Sequence, residues 1–597
     1  MGLLQKAVET YDFLEQTGRV GKIEEGKAPV APVSHIITRA DIEITINSEG
    51  QFVSAREVSK DEDKIIIPVT ERSVGRVGGA YPHPICDQLW YIAPYNEEKN
   101  SAYIEQLKGW ADSPYSHPKL APILRYVKAG TILVDLAHAK VIEMNGSKPK
   151  NEKALVRWRV LDCGEVDACW QDVTLFRAYE DYYQAQHEDD TQTLCMITGK
   201  EARLASQHPK GIVAVSGNAK LISSNDTRGF TYMGRFTNAD QAVGISYEAS
   251  QKAHNALRWL VADQGAKSTY GGRTFICWNP EGHKIYRPMA TFLPDGAGTI
   301  VTPSDYQRQL QNTLNGWKTD IPDTAGVVIA AFDAATSGRL SLTYYNELMH
   351  SDFIRRLHDW DEACAWYNGR FGIQSPSLWQ IVNCAFGTQQ GERLVTDERV
   401  LRQQMQRLVA CRIDSARMPA DIMRALYQRA STPLAYSNNV RLQIRFVACA
   451  VIKKYHHDHG REWDMTLEKD CTDRSYLFGR LLAVLEKIEK DTYGENEDRD
   501  TNAIRLLSIY SRRPFQTYQT IYERIRQPYM SKLNRGLRKT YDMLIEEITE
   551  KLTEGGMDPK ALNKPLKETY LLGYYLQQKD LYISKKDNQQ TEDEQDD

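Results

Sequence analysis

The sequence predicts an α+β protein: an N-terminal mixed domain with a largely antiparallel sheet, followed by an all-α C-terminal helical bundle. Three observations predict it. Residues 35–70 alternate apolar and polar side chains at the period of two that lays one face of a strand on a core. Strand-like runs recur at 156–164, 273–280, 326–334 and 339–348, and from about Leu378 they give way to helical periodicity broken by short turns. At 597 residues the chain exceeds a single core, so two or three domains are expected.

In chain order, MGLLQKAVETYDFLEQ reads as an amphipathic helix without the basic start and unbroken apolar run of a signal peptide. Ile42, Ile44 and Ile46 then face one way and Glu43 and Thr45 the other; NSEGQ closes a hairpin, and Ile65 to Val69 adds a strand. The next segment, ERSVGRVGGAYPHPICDQLWYI (71–92), gathers Arg72, Arg76, Gly78, Gly79 and Tyr81 in one loop. Glycines let a backbone approach a ligand closely, and arginines suit phosphate. Ala102 to Val127 is helix interrupted by SPYSHP, and Trp170 to Tyr183 is helix again. Residues 195–260 join a long loop rich in Asn, Ser, Gly, Arg and Tyr to a helix with Ser246 as N-cap, Glu248 in its first turn, and Ala249, Ala253, Ala256, Leu257, Leu260 and Val261 on its apolar face. A long polar loop anchored to a rigid helix points to function. WYNGRFGIQSPS (366–377) is punctuated by Gly, Ser and Pro, which places a boundary near 375: residues 1–375 form the first domain, 376–584 the bundle, and 585–597 an acidic, disordered tail.

Total charge is nearly balanced, at 75 Lys plus Arg against 79 Asp plus Glu, so any nucleic-acid signal lies in its distribution. Residues 393–445 hold ten arginines, no lysine and four acids; Arg402, Arg407, Arg412 and Arg417 are five apart and so rotate around a helix. Residues 501–540 are more biased: Arg505, Arg512, Arg513, Arg524, Arg526, Lys532, Arg535, Arg538 and Lys539 face the single acid Glu523, with Tyr510, Phe515, Tyr518, Tyr522 and Tyr529 interleaved. Cations neutralise phosphates and rings stack on any base, which suits a displaced DNA strand. The competing reading is a solvated helical face with aromatics in the core.

Other chemistries find little support. The ten cysteines show no C-x-x-C pair and read as reduced thiols, and no apolar run approaches a membrane span. GAKSTYGG (265–272) lacks phosphate-loop spacing and follows a helix, and VGRVGG (74–79) is not G-x-G-x-x-G. His456, His457, Asp458 and His459 suggest a metal phosphohydrolase, but that chemistry needs further ligands, and a helix end favours protonated His in its own right. With no G-x-S-x-G elbow and no paired-carboxylate motif, no catalytic residue, metal ligand or cofactor is assigned.

Cys195, Thr198 and Gly199, then His208 and Pro209, then Ser223 and Asn225, then Tyr232 and Gly234, then the helix from Ser246 to Leu260, follow one another in an order that resembles the large-subunit family of the type I-C CRISPR interference complex, Cascade. SGRLSLTYYNEL (337–348), YLFGRLLAVLEKIE (476–489), IYSRRPF (509–515) and LLGYYLQQKDLY (571–582) extend the resemblance over most of the chain. The resemblance implies a non-catalytic, cytoplasmic subunit that recognises the protospacer-adjacent motif (PAM) in duplex DNA, helps open it, stabilises the R-loop and recruits a helicase-nuclease. Its implied partners are target duplex DNA and the displaced strand, a guide RNA-containing complex with backbone, handle-binding and small subunits, and the helicase-nuclease, with no membrane. On that reading Arg72, Arg76, Gly78, Gly79 and Tyr81, with Asn218, Lys220, Ser223, Asn225 and Arg228, touch the duplex, while Arg505 to Lys539 hold the non-target strand or the neighbouring RNA-protein filament. It also implies an internal start at Met465, which would yield residues 465–597 as a separate small subunit. Two rival readings stand beside it: a metal-dependent phosphohydrolase or nuclease using the HHDH cluster, and a purely structural scaffold subunit.

Overall fold

The computed structural model describes residues 2–76, 79–213, 217–223, 243–263, 266–289, 302–319, 321–336, 338–494, 497, 499–554 and 558–593. The chain divides into two compact units, one of residues 1–285 with 326–348, the other of 286–325 with 349–597. Residue 375 lies inside the second, and the chain passes from one unit to the other three times.

The described residues of the first unit hold two large cores and a small cluster of Cys195, Ile245 and Ala249. In one, β1 (His35–Arg39) pairs antiparallel with β4 (Lys64–Pro68), while β2 (Ile42–Ile46) lies between β3 (Phe52–Glu57) and β5 (Val156–Val160). The expected hairpin is β2–β3, but β2–β5 is parallel, an exception to the antiparallel rule of this domain. Both faces of β2 are buried. Ile42, Ile44 and Ile46 enter the core, and on the other face Glu43 accepts from Arg157 Nε at 2.9 Å, Arg159 Nε at 2.9 Å and Arg56 Nη2 at 2.7 Å. Burial pushes the Glu43 carboxyl up, but bonds from Arg159 and Arg157 outweigh it and hold the group below its usual range. The second core joins α1 (Leu3–Gln16) and α5 (Tyr247–Ala262) to the antiparallel sheet β6 (Lys267–Tyr270), β7 (Arg273–Trp278), β8 (Gly326–Thr336) and β9 (Arg339–Met349). Trp278 Nε1 donates to Thr10 Oγ1 at 2.9 Å, pinning α1 to β7. Between α1 and α5 in sequence come α2 (Glu97–Ala111), α3 (Leu120–Ala129) and α4 (Val173–Ala185), which pack on the first core.

The second unit is mainly helical. It contains α6 (Pro303–Thr319), α7 (His350–Ala363), α8 (Leu378–Phe386), α9 (Glu398–Ile413), α10 (Ala420–Ala430) and α11 (Asn438–His457), then α12 (Arg474–Lys490), α13 (Asn502–Tyr510), α14 (Pro514–Arg526), α15 (Arg535–Thr553) and α16 (Thr569–Asp593). Every side chain of α12 from Ser475 to Glu489 is buried, and α13, α14, α15 and α16 pack around it. The reading that strands end before 378 fails at one place: Thr388–Gln390 and Arg393–Val395 form a short hairpin, turned by Gly391 at φ 59°. The backbone of α16 stays helical to Asp593, past 585 where composition suggested a disordered tail, because Lys, Gln and Glu extend a helix already packed at its start.

Candidate nucleic-acid interface

The one-turn helix Glu71–Gly75 is fixed by a reciprocal cap, with Ser73 N donating to Thr70 Oγ1 at 3.0 Å and Thr70 N to Ser73 Oγ at 2.9 Å. It ends at Arg76 in the left-handed region, φ 43°. Arg76 donates to the buried Asp87 carboxylate at 2.6 Å and to Gln88 Oε1 at 3.1 Å, and its guanidinium lies 4.7 Å from the Tyr91 ring centre. Burial raises Asp87 to about 6 against the pull of Arg76. Arg76 therefore braces the loop from inside. Arg72 is exposed, 5.8 Å over Tyr81, and Gly79 at φ 96° leaves room for that ring, which a β-carbon would meet at 3.1 Å. Gly78 lies outside the described residues.

Glu71 ties this turn to the central loop. Its carboxylate accepts from Arg203 Nη2 at 2.8 Å, Ser206 N at 2.9 Å and Gln207 N at 3.1 Å. Lys210 and Lys220 then meet across an antiparallel bridge, Lys220 also bridges Arg339, and exposed Asn218 accepts from Lys210 Nζ at 3.3 Å. Ser223 is half-buried, and Asn225 and Arg228 lie outside the described residues. Val74 and Gly75 share a small cavity with Lys210 and Lys220, so the two loops named from sequence are neighbours. The pieces of the central motif converge at the start of α5: Ser246 N donates to Cys195 Sγ at 3.3 Å, Ala249 N to Ser246 Oγ at 3.3 Å, and His208 Nδ1 lies 2.8 Å from Ser250 Oγ.

The two arginine-rich segments behave differently. In the first, Arg407 pairs with Asp421 at 2.6 Å, Arg412 with Asp361 at 2.7 Å and Arg441 with Asp500 at 2.6 Å, and Arg429 donates to the carbonyls of Cys384 and Gly387. These are braces within the bundle. In the second, Arg505, Arg512, Arg513, Arg524, Arg526, Lys532, Arg535, Arg538 and Lys539 are all exposed. Among the described residues only Arg538 of this group approaches a carboxylate, Asp542 at 3.9 Å. Helix α14 buries Pro514, Thr517, Ile521 and Ile525, and carries half-buried Phe515, Tyr518 and Tyr522 along one flank, with the two tyrosine rings 5.9 Å apart. Tyr510, by contrast, is a core residue whose hydroxyl donates to Phe478 O at 2.8 Å. The first turn of α15 has no acid but carries Arg535, which adds to the positive end of the helix dipole.

A family model described as CRISPR-associated protein (Cas_Csd1) matches residues 8–582. The chain belongs to that family. Cas_Csd1 is the large-subunit family of the type I-C CRISPR system, which places the chain in a Cascade-type complex. No curated protein matches the sequence.

In this Cas_Csd1 chain the HHDH run caps α11 with each side chain engaged. His456 Nε2 lies 3.2 Å from Glu568, His457 Nδ1 2.7 Å from Glu462, and His459 Nδ1 2.7 Å from Tyr455 O, while Asp458 accepts from Lys454 Nζ at 2.5 Å and Met418 N at 2.8 Å. Among the described residues no three His, Cys, Asp or Glu side chains gather as a metal-ligand set, and no helix is long and apolar enough to cross a membrane. Sequence reasoning missed Lys210 and Arg258. Both line a groove of about 1130 Å³ with Lys27, Arg39, Lys64 and Lys267, cations drawn from separate segments that no local pattern connects.

Proposed function

We propose that this Cas_Csd1 large subunit is a non-catalytic, cytoplasmic component of Cascade that recognises the PAM in duplex DNA, helps open it, stabilises the R-loop and recruits the helicase-nuclease. The observation that carries the reading is the exposed run of cations from Arg505 to Lys539, beside a flank of half-buried aromatic rings. Such a surface is costly to assemble in a free protein and suits a polyanion with stackable bases. The turn at 71–76 packed on the central loop supplies a second polar surface, with Arg72, Asn218 and Lys220 as its cations and amide, groups that suit a duplex edge. Guide RNA reads sequence by pairing while protein reads the short flanking motif, a division of labour shared with other RNA-guided systems. The engagement of every side chain in the HHDH run supports a non-catalytic role over a metal-dependent one.

The test is duplex binding by the assembled complex with a matched guide, on targets with and without the PAM. Wild type should discriminate between them. Asn225→Ala should lose discrimination with assembly intact if the central loop reads the motif; unchanged discrimination moves the reading to Arg72 and Tyr81. A wild-type complex that ignores the flanking motif would sink the proposal.

A further inference from the structure

Three cations meet where the 71–76 turn, the central loop and α5 come together. Lys210 and Lys220 are paired by their backbones, and Arg258 of α5 donates from Nη2 to Lys210 O and from Nη1 to Asn255 Oδ1 at 3.1 Å. All three line a cavity of about 30 Å³, together with His208, Gln207 and Gln251. Among the described residues none of the three has a carboxylate within ion-pair distance. The one acid among the described residues of the cavity wall, Glu71, is already occupied by Arg203 and the amides of Ser206 and Gln207. His208 is 4% exposed, and its Nε2 has no hydrogen-bond partner among the described residues. His208 Nδ1 lies 2.8 Å from Ser250 Oγ, and in the tautomer that accepts from this hydroxyl Nε2 carries the hydrogen and is a donor.

Half-buried positive charges gathered without a counter-charge are unfavourable, and the cost is visible. Burial, then the charge of Lys210, pulls the Lys220 ammonium below its ordinary range; burial lowers Arg258 to about 10. A bound anion would relieve both. The cavity is too small for a base but admits the anionic oxygens of a phosphoryl group; Arg and Lys supply donors alone, and His208 adds one in the tautomer that protonates Nε2. Lys210 and Arg258 also belong to the wall of the 1130 Å³ groove, so the cavity is a notch in its side; the groove wall carries further cations together with Glu24, Glu25, Asp61 and Glu62.

We propose that Lys210, Lys220, Arg258 and His208 form a seat for a single backbone phosphate of the target duplex, fixing the register in which the neighbouring loops meet the PAM. The inference rests on the reading of this subunit as the PAM-recognising component. The seat carries no sequence information; it positions the loops that do.

The experiment replaces single phosphates flanking the PAM by neutral methylphosphonates, one at a time, and measures binding by the assembled complex carrying wild type or Lys220→Gln. One position should cost wild type about tenfold and cost Lys220→Gln nothing further, and that variant should show a salt slope smaller by about 0.9. Lys210→Gln, whose side chain among the described residues bonds only exposed Asn218, should couple to the same position and guards against a folding defect in one variant. Additive losses at every position would overturn the seat, as would coupling only to neutral linkages in the guide RNA. Retained PAM discrimination with no coupled phosphate defeats the seat alone; a wild-type complex blind to the PAM defeats the functional reading, whatever the phosphates show.

Discussion

Gly479 of α12 and Gly573 of α16 mark the place where these helices touch backbone to backbone. A β-carbon on Gly479 would overlap the Tyr570 carbonyl, and one on Gly573 the Tyr476 carbonyl. Around this crossing Arg480 Nε donates to Gln577 Oε1 at 2.9 Å and Gln578 Nε2 to Glu486 at 3.0 Å. Gly479→Ala should therefore destabilise the bundle by about 3 kcal/mol, despite the better helix propensity of alanine. Chemical denaturation of the full chain checks this; an unchanged midpoint would show that the helices can part without penalty.

Arg412 and Asp361 are both withdrawn from water and joined at 2.7 Å. Arg412→Met leaves a buried carboxylate alone and should cost about 3–5 kcal/mol, whereas Arg407→Met, which breaks a partly exposed pair with Asp421, should cost at most about 1 kcal/mol. Equal costs for the two would contradict the difference in burial.

Four buried histidines among the described residues set a pH limit on the first unit. Burial lowers His35 and His208 to about 4, His254 to about 3, and His83 well below its ordinary range. The unfolded chain takes up protons near 6.5 and the folded chain does not, so this stability is present above 6.5 and lost as pH falls towards 4. Each histidine should remove about 2 kcal/mol by pH 5. Hydrogen exchange of β1 and α5 peptides at pH 7 and pH 5 reads the effect, and His254→Gln should flatten it; a slope unaltered by that change refutes the assignment.

On the basic surface, Arg524→Gln with Arg526→Gln should weaken binding of the displaced strand and reduce the salt slope by about 0.7 per phosphate lost. Tyr522→Ala should cost about 1–3 kcal/mol if its ring stacks on a base. Affinities of the assembled complex across a salt series measure both. A scaffold that binds protein acids would show no such slope change.

Everything that packs on α12 from its own side of the chain, α13 to α16, lies after Met465. Translation from Met465 should therefore give a folded small subunit, with the face of Tyr570, Leu571 and Tyr575 uncovered where Ser431, Cys449 and Arg445 otherwise meet it. Mass spectrometry after expression from the natural gene should find both products, and Met465→Leu should remove the shorter one. Full-length chain alone would count against the internal start.

Local signals in the sequence were well founded where one segment decided its own conformation. The Ser246 cap, the apolar face of α5 and the strands β7 to β9 follow from spacing alone. The quoted segments around Gly479 and Gly573 have their physical cause in the α12–α16 crossing. What spacing did not reveal depends on partners distant in the chain. Arg76 looked like a phosphate ligand until Asp87 folded onto it, and Tyr510 like a stacking face until α12 covered it, while Arg258 gave no local signal and gains its place only beside Lys210 and Lys220.

Three passages of the chain between two compact units have a practical consequence for dissecting the molecule. A piece ending at 348 would keep α6 without α7, leaving Tyr306, Leu310 and Leu314 facing water, and a piece starting at 349 would lack α6 altogether. Neither unit is a linear fragment. Producing either one alone requires splicing across the gap, 285 to 326 for the first and 325 to 349 for the second, and a single protease nick leaves the two still joined by peptide bonds.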